Sequence, residues 1–294
     1  MDLKEYTRNC HKLTVNSLST SVAMLSDIHW DNPKCDRELL KKHLDYCLKE
    51  EMPIMINGDF FCLMQGRYDP RRNKKDILPE HNVANYLDAV IEDAVDWWAP
   101  YAHLLTVIGY GNHETGIIRN CETDPLRRFV DILNYKEKSN VHLGGYGGWI
   151  VLSQVRGGGM FNTKIKYYHG SGGGGVVTKG AINLTRALEM YDGMDVFTMG
   201  HIHENSCRTD SREGLITKSK RGIHSVVKDV HLMITGTYKE EYEDGYMGWH
   251  IERGAPPKTI GGRILTVDSY RIRDGRTTWK DSEKIVDSRR FNIV

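Results

Sequence analysis

A chain of 294 residues is long enough for one large domain, or one domain with a small appendage. Hydrophobic residues make up 39% and charged residues 27%, the proportions of a soluble globular protein. The formal net charge of +1 argues against a surface that holds nucleic acid by bulk electrostatics, although it leaves room for a local basic groove. The opening MDLKEYTRNCHKLTVNSLST lacks the continuous apolar stretch of a secretory signal, and no run of about 18 apolar residues offers a membrane span. Six cysteines without a CxxC spacing read as reduced thiols, so a cytoplasmic protein without a membrane partner is expected.

No internal repeat or low-complexity linker divides the chain, and strands alternate with helices along it, the pattern of an α/β fold. Ser21 to Leu25 is a short apolar run that leads to Asp27 and His29. The stretch from Asp36 to Glu50 sets Leu39, Leu40, Leu44 and Cys47 at helical spacing. Ile54 to Ile56 is the next strand and ends at Gly58-Asp59. From Phe60 to Asp76 the rhythm is broken by Gly66, Pro70 and the cluster Arg71, Arg72, Lys74 and Lys75. This reads as a long surface insertion whose charges are solvated, with a nucleic-acid contact as the alternative.

A helix is expected from about Val83 to Trp98, with Trp97, Trp98 and Tyr101 packing against it. Leu104 to Ile108 is a strand that ends at Gly111-Asn112-His113-Glu114. Asp124 and Pro125 then make a plausible helix start for the segment to Leu133. Trp149 to Val155 and Lys164 to Tyr168 read as strands joined through Gly157-Gly158-Gly159. Gly170 and Gly172 to Gly175 open a helix through Ala181 and Leu188, and could approach a phosphate with help from that helix N-terminus. Asp195 to Met199 is a further strand that delivers Gly200-His201-Ile202-His203. The segment 205–294 reads as more β-structure and is locally basic, with 17 Lys and Arg against 13 Asp and Glu.

Five places concentrate carboxylates and imidazoles: Asp27-x-His29, Gly58-Asp59, Asn112-His113-Glu114, His169 and His201-x-His203. All but His169 fall just after an expected strand. Side chains at the carboxyl ends of strands in an open α/β sheet can converge on one cleft. Taken singly each is weak evidence, since Gly-Asp is commonly a turn and a lone His is commonly a satisfied polar residue. His201 and His203 are expected to share one face of a strand by alternation. The mixed nitrogen and oxygen donors suit Mn, Fe, Zn or Ni, with Mn preferred. The remaining histidines, His11, His43, His81, His103, His142, His224, His231 and His250, read as ordinary surface or core residues.

In this order, DIH, GDFF, GNHE, YHG and GHIH resemble the motif series of the calcineurin-like metallophosphoesterases over roughly residues 21 to 205. The segment from Gly245-Tyr246 to Gly261-Gly262 is faintly similar to the tails of phage- and prophage-encoded members. The resemblance implies a four-layer α/β/β/α sandwich with two mixed sheets, built as a single domain over 1–294 with 205–294 as a β-rich extension. It implies that Asp27, His29 and His203 bind one metal, that Asn112, His169 and His201 bind a second, and that Asp59 bridges them. His113 would serve as the general acid at the leaving-group oxygen, and Glu114 would support the nearby backbone without binding metal. Where family members often carry an acidic residue after the second motif, this chain has Phe60, Phe61 and Cys62. The activity implied is hydrolysis of phosphate esters, most simply a phosphodiesterase in which a metal-bridging hydroxide attacks phosphorus. A metal-dependent DNA nuclease and a non-catalytic scaffold on the same fold are the alternatives.

Overall fold

The computed structural model describes residues 1–63, 76–217, 222–245, 249–252, 254–274 and 278–291. The chain enters through a hairpin, β1 (Asp2–Thr7) and β2 (Cys10–Val15), that the sequence pattern did not announce. Only Leu3, His11 and Leu13 of its side chains are buried, so no sustained alternation marks it. A strand and helix series follows: β3 (Ser19–Leu25), α1 (Arg37–Lys49), β4 (Ile54–Asn57), α2 (Tyr86–Trp98), β5 (Leu105–Gly109), α3 (Asn112–Cys121), α4 (Pro125–Glu137) and β6 (His142–Leu143). β3, β4, β5 and β6 are neighbours in parallel register, and the helices between them supply the crossover connections that parallel pairing requires.

The expected elements appear with modest boundary shifts. Asp36 caps α1 by accepting from the Leu39 amide at 2.8 Å, and Asp124 caps α4 by accepting from Arg127 at 3.0 Å, with Pro125 in the first turn. α2 begins at Tyr86, three residues later than Val83. α3 was not foreseen. Its Gly111 opens the helix, and Glu114 reaches back to the Gly111 amide at 2.8 Å, so the GNHE motif is a helix start as well as a strand exit.

The second half is built from β7 (Gly147–Arg156), β8 (Gly159–Tyr168), α5 (Ala181–Met190), β9 (Val196–Met199), β10 (Asn205–Ile216), β11 (His224–Thr235), the short α6 (Trp249–Glu252), β12 (Arg263–Asp274) and β13 (Thr278–Arg290). Gly157 and Gly158, at φ of 58° and 73°, close the β7–β8 hairpin, a conformation that favours glycine at both turn positions. The molecule is an α/β protein with two mixed sheets. One runs β1-β2-β7-β8-β9-β11-β10 and the other β13-β12-β3-β4-β5-β6.

Three apolar clusters hold these elements together. Between the sheets lie Val22, Met24, Met55, Val107 and Leu265 from one and Leu13, Ile150, Leu152, Ile165 and Met233 from the other. On the far side of the six-stranded sheet, Leu40 and Leu44 of α1, Val90 and Ile91 of α2 and Phe129 of α4 pack on Ile54, Ile56 and Ile108. Leu184, Ala187 and Leu188 of α5 pack on Phe197, Leu232 and Ile234 of the other sheet. Each fully buried Leu or Ile contributes about 1.5–3 kcal/mol by leaving water.

The segment expected as a surface insertion from Phe60 is corrected at its start. Phe60, Phe61 and Leu63 are fully buried beside Trp98 and Phe129, because the chain leaving β4 turns inward under α2 and α4 before going elsewhere. The basic cluster Arg71, Arg72, Lys74 and Lys75 lies outside the described residues. Trp98 and Tyr101 are buried in the same cluster, with Trp97 packed against it at half burial. Among the described residues no helix is long and apolar enough to cross a membrane.

Candidate metal centre

Every one of the sequence motifs ends a strand. Asp27 and His29 follow β3, Asp59 follows β4, Asn112 and His113 follow β5, His169 follows β8, and His201 and His203 follow β9. β3, β4 and β5 belong to one sheet and β8 and β9 to the other, so the two sheets bring their carboxyl ends to one place.

Two groups of potential ligands drawn from the expected set form there, Asp27, His29 and His203, and Asp59, His169 and His201, and a third, His29, Cys62 and His113, overlaps the first through His29. In the first, His29 Nε2 and His203 Nε2 face each other at 3.3 Å, and His203 Nε2 lies 3.4 Å from Asp27 Oδ1. In the second, His169 Nε2 is 3.2 Å from Asp59 Oδ2, while Asn112 Oδ1 sits 3.3 Å from that nitrogen and 2.7 Å from His201 Nδ1. Donors around one ion at bonds of 2.0–2.2 Å stand roughly 3.0–3.5 Å apart, so most of these spacings fit a shared cation. The donor set fits as well: carboxylate, imidazole and one amide oxygen suit a divalent transition metal. His169 donates through Nδ1 to the Asn57 carbonyl at 2.8 Å, which leaves the Nε2 lone pair for the centre.

His201 and His203 do not share a strand face as alternation predicted. β9 ends at Met199, and both residues lie in the loop beyond it with φ of 69° and 57°, so each points into a different ligand group. Asp27, His29 and Asp59 also take positive φ, at 48°, 49° and 49°. Non-glycine residues visit this region at a cost of about 1–2 kcal/mol each, and five of the seven candidate ligands do so. No side-chain pattern could have shown this.

The glycine preceding each of three ligand motifs has a steric cause. A Cβ on Gly58 would come within 2.5 Å of His169 Nδ1, one on Gly111 would overlap the Asp59 carboxylate, and one on Gly200 would overlap that of Asp27. Backbone amides hold the carboxylates in turn. The His201 amide donates to Asp27 Oδ2 at 2.9 Å, and the His113 amide, in the first turn of α3, donates to Asp59 Oδ1 at 2.9 Å. Asp59 therefore also sits at the favourable end of the α3 dipole. The sequence reading missed Ser26, which donates to Asp27 Oδ2 at 2.5 Å, and Thr237, which donates to the Asp27 carbonyl at 2.7 Å. Neither belongs to a recognisable spacing.

Glu114 is fully buried and accepts from the amides of Asp59, Phe61 and Gly111 at 3.2, 2.9 and 2.8 Å, so it ties the loops after β4 and β5 together without entering either ligand group. Burial and the nearby Asp59 charge push its carboxyl up to about 8. Burial alone would raise the Asp59 carboxyl, but His169 and His113 beside it hold it well below the usual range. For His169 burial pulls downward, and the Asp59 carboxylate outweighs it and lifts the ring to about 10. Burial and His113 depress His29, and burial and His169 depress His201. With no ion bound the pocket thus favours a proton on His169 beside the Asp59 carboxylate and disfavours charge on His29 and His201, and a cation at the centre would displace that proton from Nε2.

His113 lies at the rim of the pair. Its Nδ1 is 2.6 Å from the Cys62 carbonyl, its Nε2 is 3.9 Å from Asp59 Oδ2, and its ring meets His29 edge-on at 4.7 Å. The glycine loop behaves differently from expectation. α5 begins only at Ala181, with the turn from Val176 to Gly180 between, so residues 172–175 do not open the helix.

No protein-family model matches the chain, and no curated protein matches it. Among solved structures it is similar to "GAP50 the anchor in the inner membrane complex of Plasmodium", at 11% identity and a TM-score of 0.40, over 85% of this chain and 81% of that one.

Proposed function

We propose that the chain is a dinuclear metal-dependent hydrolase of phosphate esters, a phosphodiesterase of the calcineurin-like type. One observation carries this reading. Six of the motif residues gather into two ligand groups, Asp27, His29 and His203 and Asp59, His169 and His201, with Asn112 Oδ1 against the second and His113 beside both His29 and Asp59. Under the same proposal the stack of helices, two sheets and α5 is the four-layer sandwich of that family.

Asp27, His29 and His203 would hold one ion, Asn112, His169 and His201 the other, and Asp59 would contact both. Mn is the preferred metal, with Fe, Zn and Ni as the other fits to the donor set. Two such ions supply charge neutralisation for a phosphoryl group and a hydroxide at neutral pH. The protein's own share is positioning. The Cys62 carbonyl accepts the Nδ1 proton of His113, so the ring orientation is fixed and Nε2 is directed toward the centre. From there a protonated Nε2 can deliver its proton to a departing alkoxide. The six cysteines form no disulfide, and the proposal places the protein in the cytoplasm.

The test is elemental analysis of the full chain after mild loading with Mn, alongside turnover of a phosphodiester. Two ions per chain are expected, and Asp59→Asn should weaken both sites together. A count that saturates at one ion, or that survives Asp59→Asn unchanged, would sink the assignment.

A further inference from the structure

A second cluster of metal-type side chains stands apart from these motifs. Glu5 of β1 and His11 of β2 are direct cross-strand partners, and His142 is the first residue of β6, on the edge of the other sheet. His142 Nδ1 lies 3.4 Å from Glu5 Oε2 and His11 Nε2 lies 4.0 Å from it, with one ligand atom of each residue within 4.8 Å of the others.

His11 makes the cluster more than a surface coincidence. It is 2% exposed, and neither ring nitrogen has a hydrogen-bond partner. A buried ring nitrogen left unsatisfied is costly and is retained when something else meets it, and here Nε2 is the nitrogen that faces Glu5. The His142 tautomer agrees. Asn140 donates its amide nitrogen to the Leu3 carbonyl at 3.1 Å, so its oxygen faces His142 Nε2 at 3.0 Å and accepts the proton there. The Nδ1 lone pair of His142 is thereby turned toward Glu5 and His11, the arrangement a metal-binding imidazole needs.

We infer that Glu5, His11 and His142 form a third metal site, which takes a divalent zinc-type ion and clamps the β1–β2 hairpin to β6. Two imidazoles and one carboxylate are a familiar zinc set, with a water completing four-coordination. Ligand atoms around zinc stand roughly 3.3–3.5 Å apart. The half-exposed Glu5 and the partly exposed His142 can close the small remaining distance, while buried His11 stays fixed. Because the ligands come from both sheets, the ion would add to the Asn140–Leu3 hydrogen bond in tying these two edges together.

The experiment uses the full chain stripped with a chelator and titrated with zinc against a chromophoric competitor. Wild type should bind one equivalent more than Glu5→Gln/His142→Ala, and both should keep the same metal-dependent turnover. In an Asp59→Asn background zinc should still raise the Tm, and adding Glu5→Gln/His142→Ala should reduce that rise. The two results separate this site from the motif centre, whose failure would leave the zinc-dependent Tm shift in place. Should the double variant fail to fold, Glu5→Gln alone, at a side chain 44% exposed, carries the comparison. An unchanged zinc count in these variants overturns the inference.

Discussion

His113 follows Asn112 in the first turn of α3, so the proposed metal ligand and the proposed general acid are fixed by one helix start. Its Nδ1 contact to the Cys62 carbonyl is a positioning bond that alanine cannot make. His113→Ala should keep both ions and lose about 10²–10⁴ of turnover on an alkyl phosphodiester, the usual range for a general acid. The loss should be smaller with a nitrophenolate leaving group, which needs less protonation. Steady-state rates on the two esters check this, and equal losses would contradict the acid role. The identities of the candidate ligands were legible because their residue types recur at strand exits in a fixed order. Their backbone was not. Positive φ at Asp27, His29, Asp59, His201 and His203 is set by amide contacts such as His201 to Asp27, and these join residues 174 positions apart.

At the scale of elements, α1 meets the C-terminal segment through His43. Its ring stacks on Phe291 at 4.4 Å, and Nδ1 accepts from the Tyr238 hydroxyl at 2.8 Å, while that hydroxyl accepts from the Gly262 amide. Burial pulls the His43 ring down to about 4 from 6.5, so it is neutral in the fold. The folded value lies below the unfolded one. The stability it brings is therefore complete above pH 6.5 and drains away as pH falls toward 4. The loss should reach about 2 kcal/mol by pH 5. Urea midpoints at pH 7.5 and 5 should separate more for wild type than for His43→Gln, and equal pH slopes would refute it. Helices with an Asp cap and a regular apolar stripe, α1 and α4, were readable. The β1–β2 hairpin was not, having few buried side chains, and α3 was hidden because its opening residues read as a strand exit. The inward turn at Phe60 looked like surface because polar and glycine-containing sequence follows it.

For the whole molecule, salt dependence separates the two substrate classes of the proposed phosphoesterase. A nuclease must engage several backbone phosphates, and its binding then weakens steeply with salt as counterion release is lost. A small diester presents one or two charges. With a net charge of only +1, we predict a shallow dependence of kcat/KM on NaCl, and little change in small-diester turnover when Arg71, Arg72, Lys74 and Lys75 are neutralised together. A steep slope on DNA that this quadruple substitution flattens would favour the nuclease.

The position of β12 has a consequence in time. It lies antiparallel against β3, with Arg263 opposite Met24 and Asp268 opposite Ser19, and Thr237 and Tyr238 bond the carbonyl of Asp27. The strand that carries the first candidate ligands is thus flanked by chain made more than 200 residues later. Contacts so distant in sequence are slow to form, because the loop entropy is lost before the contact repays it. During synthesis β3, β4 and β5 can align early, but β3 keeps an open edge until β12 has been made. The loop bearing Asp27 and His29 gains its Thr237 and Tyr238 restraints only after that first alignment, so the pocket becomes rigid later than the strands that carry it.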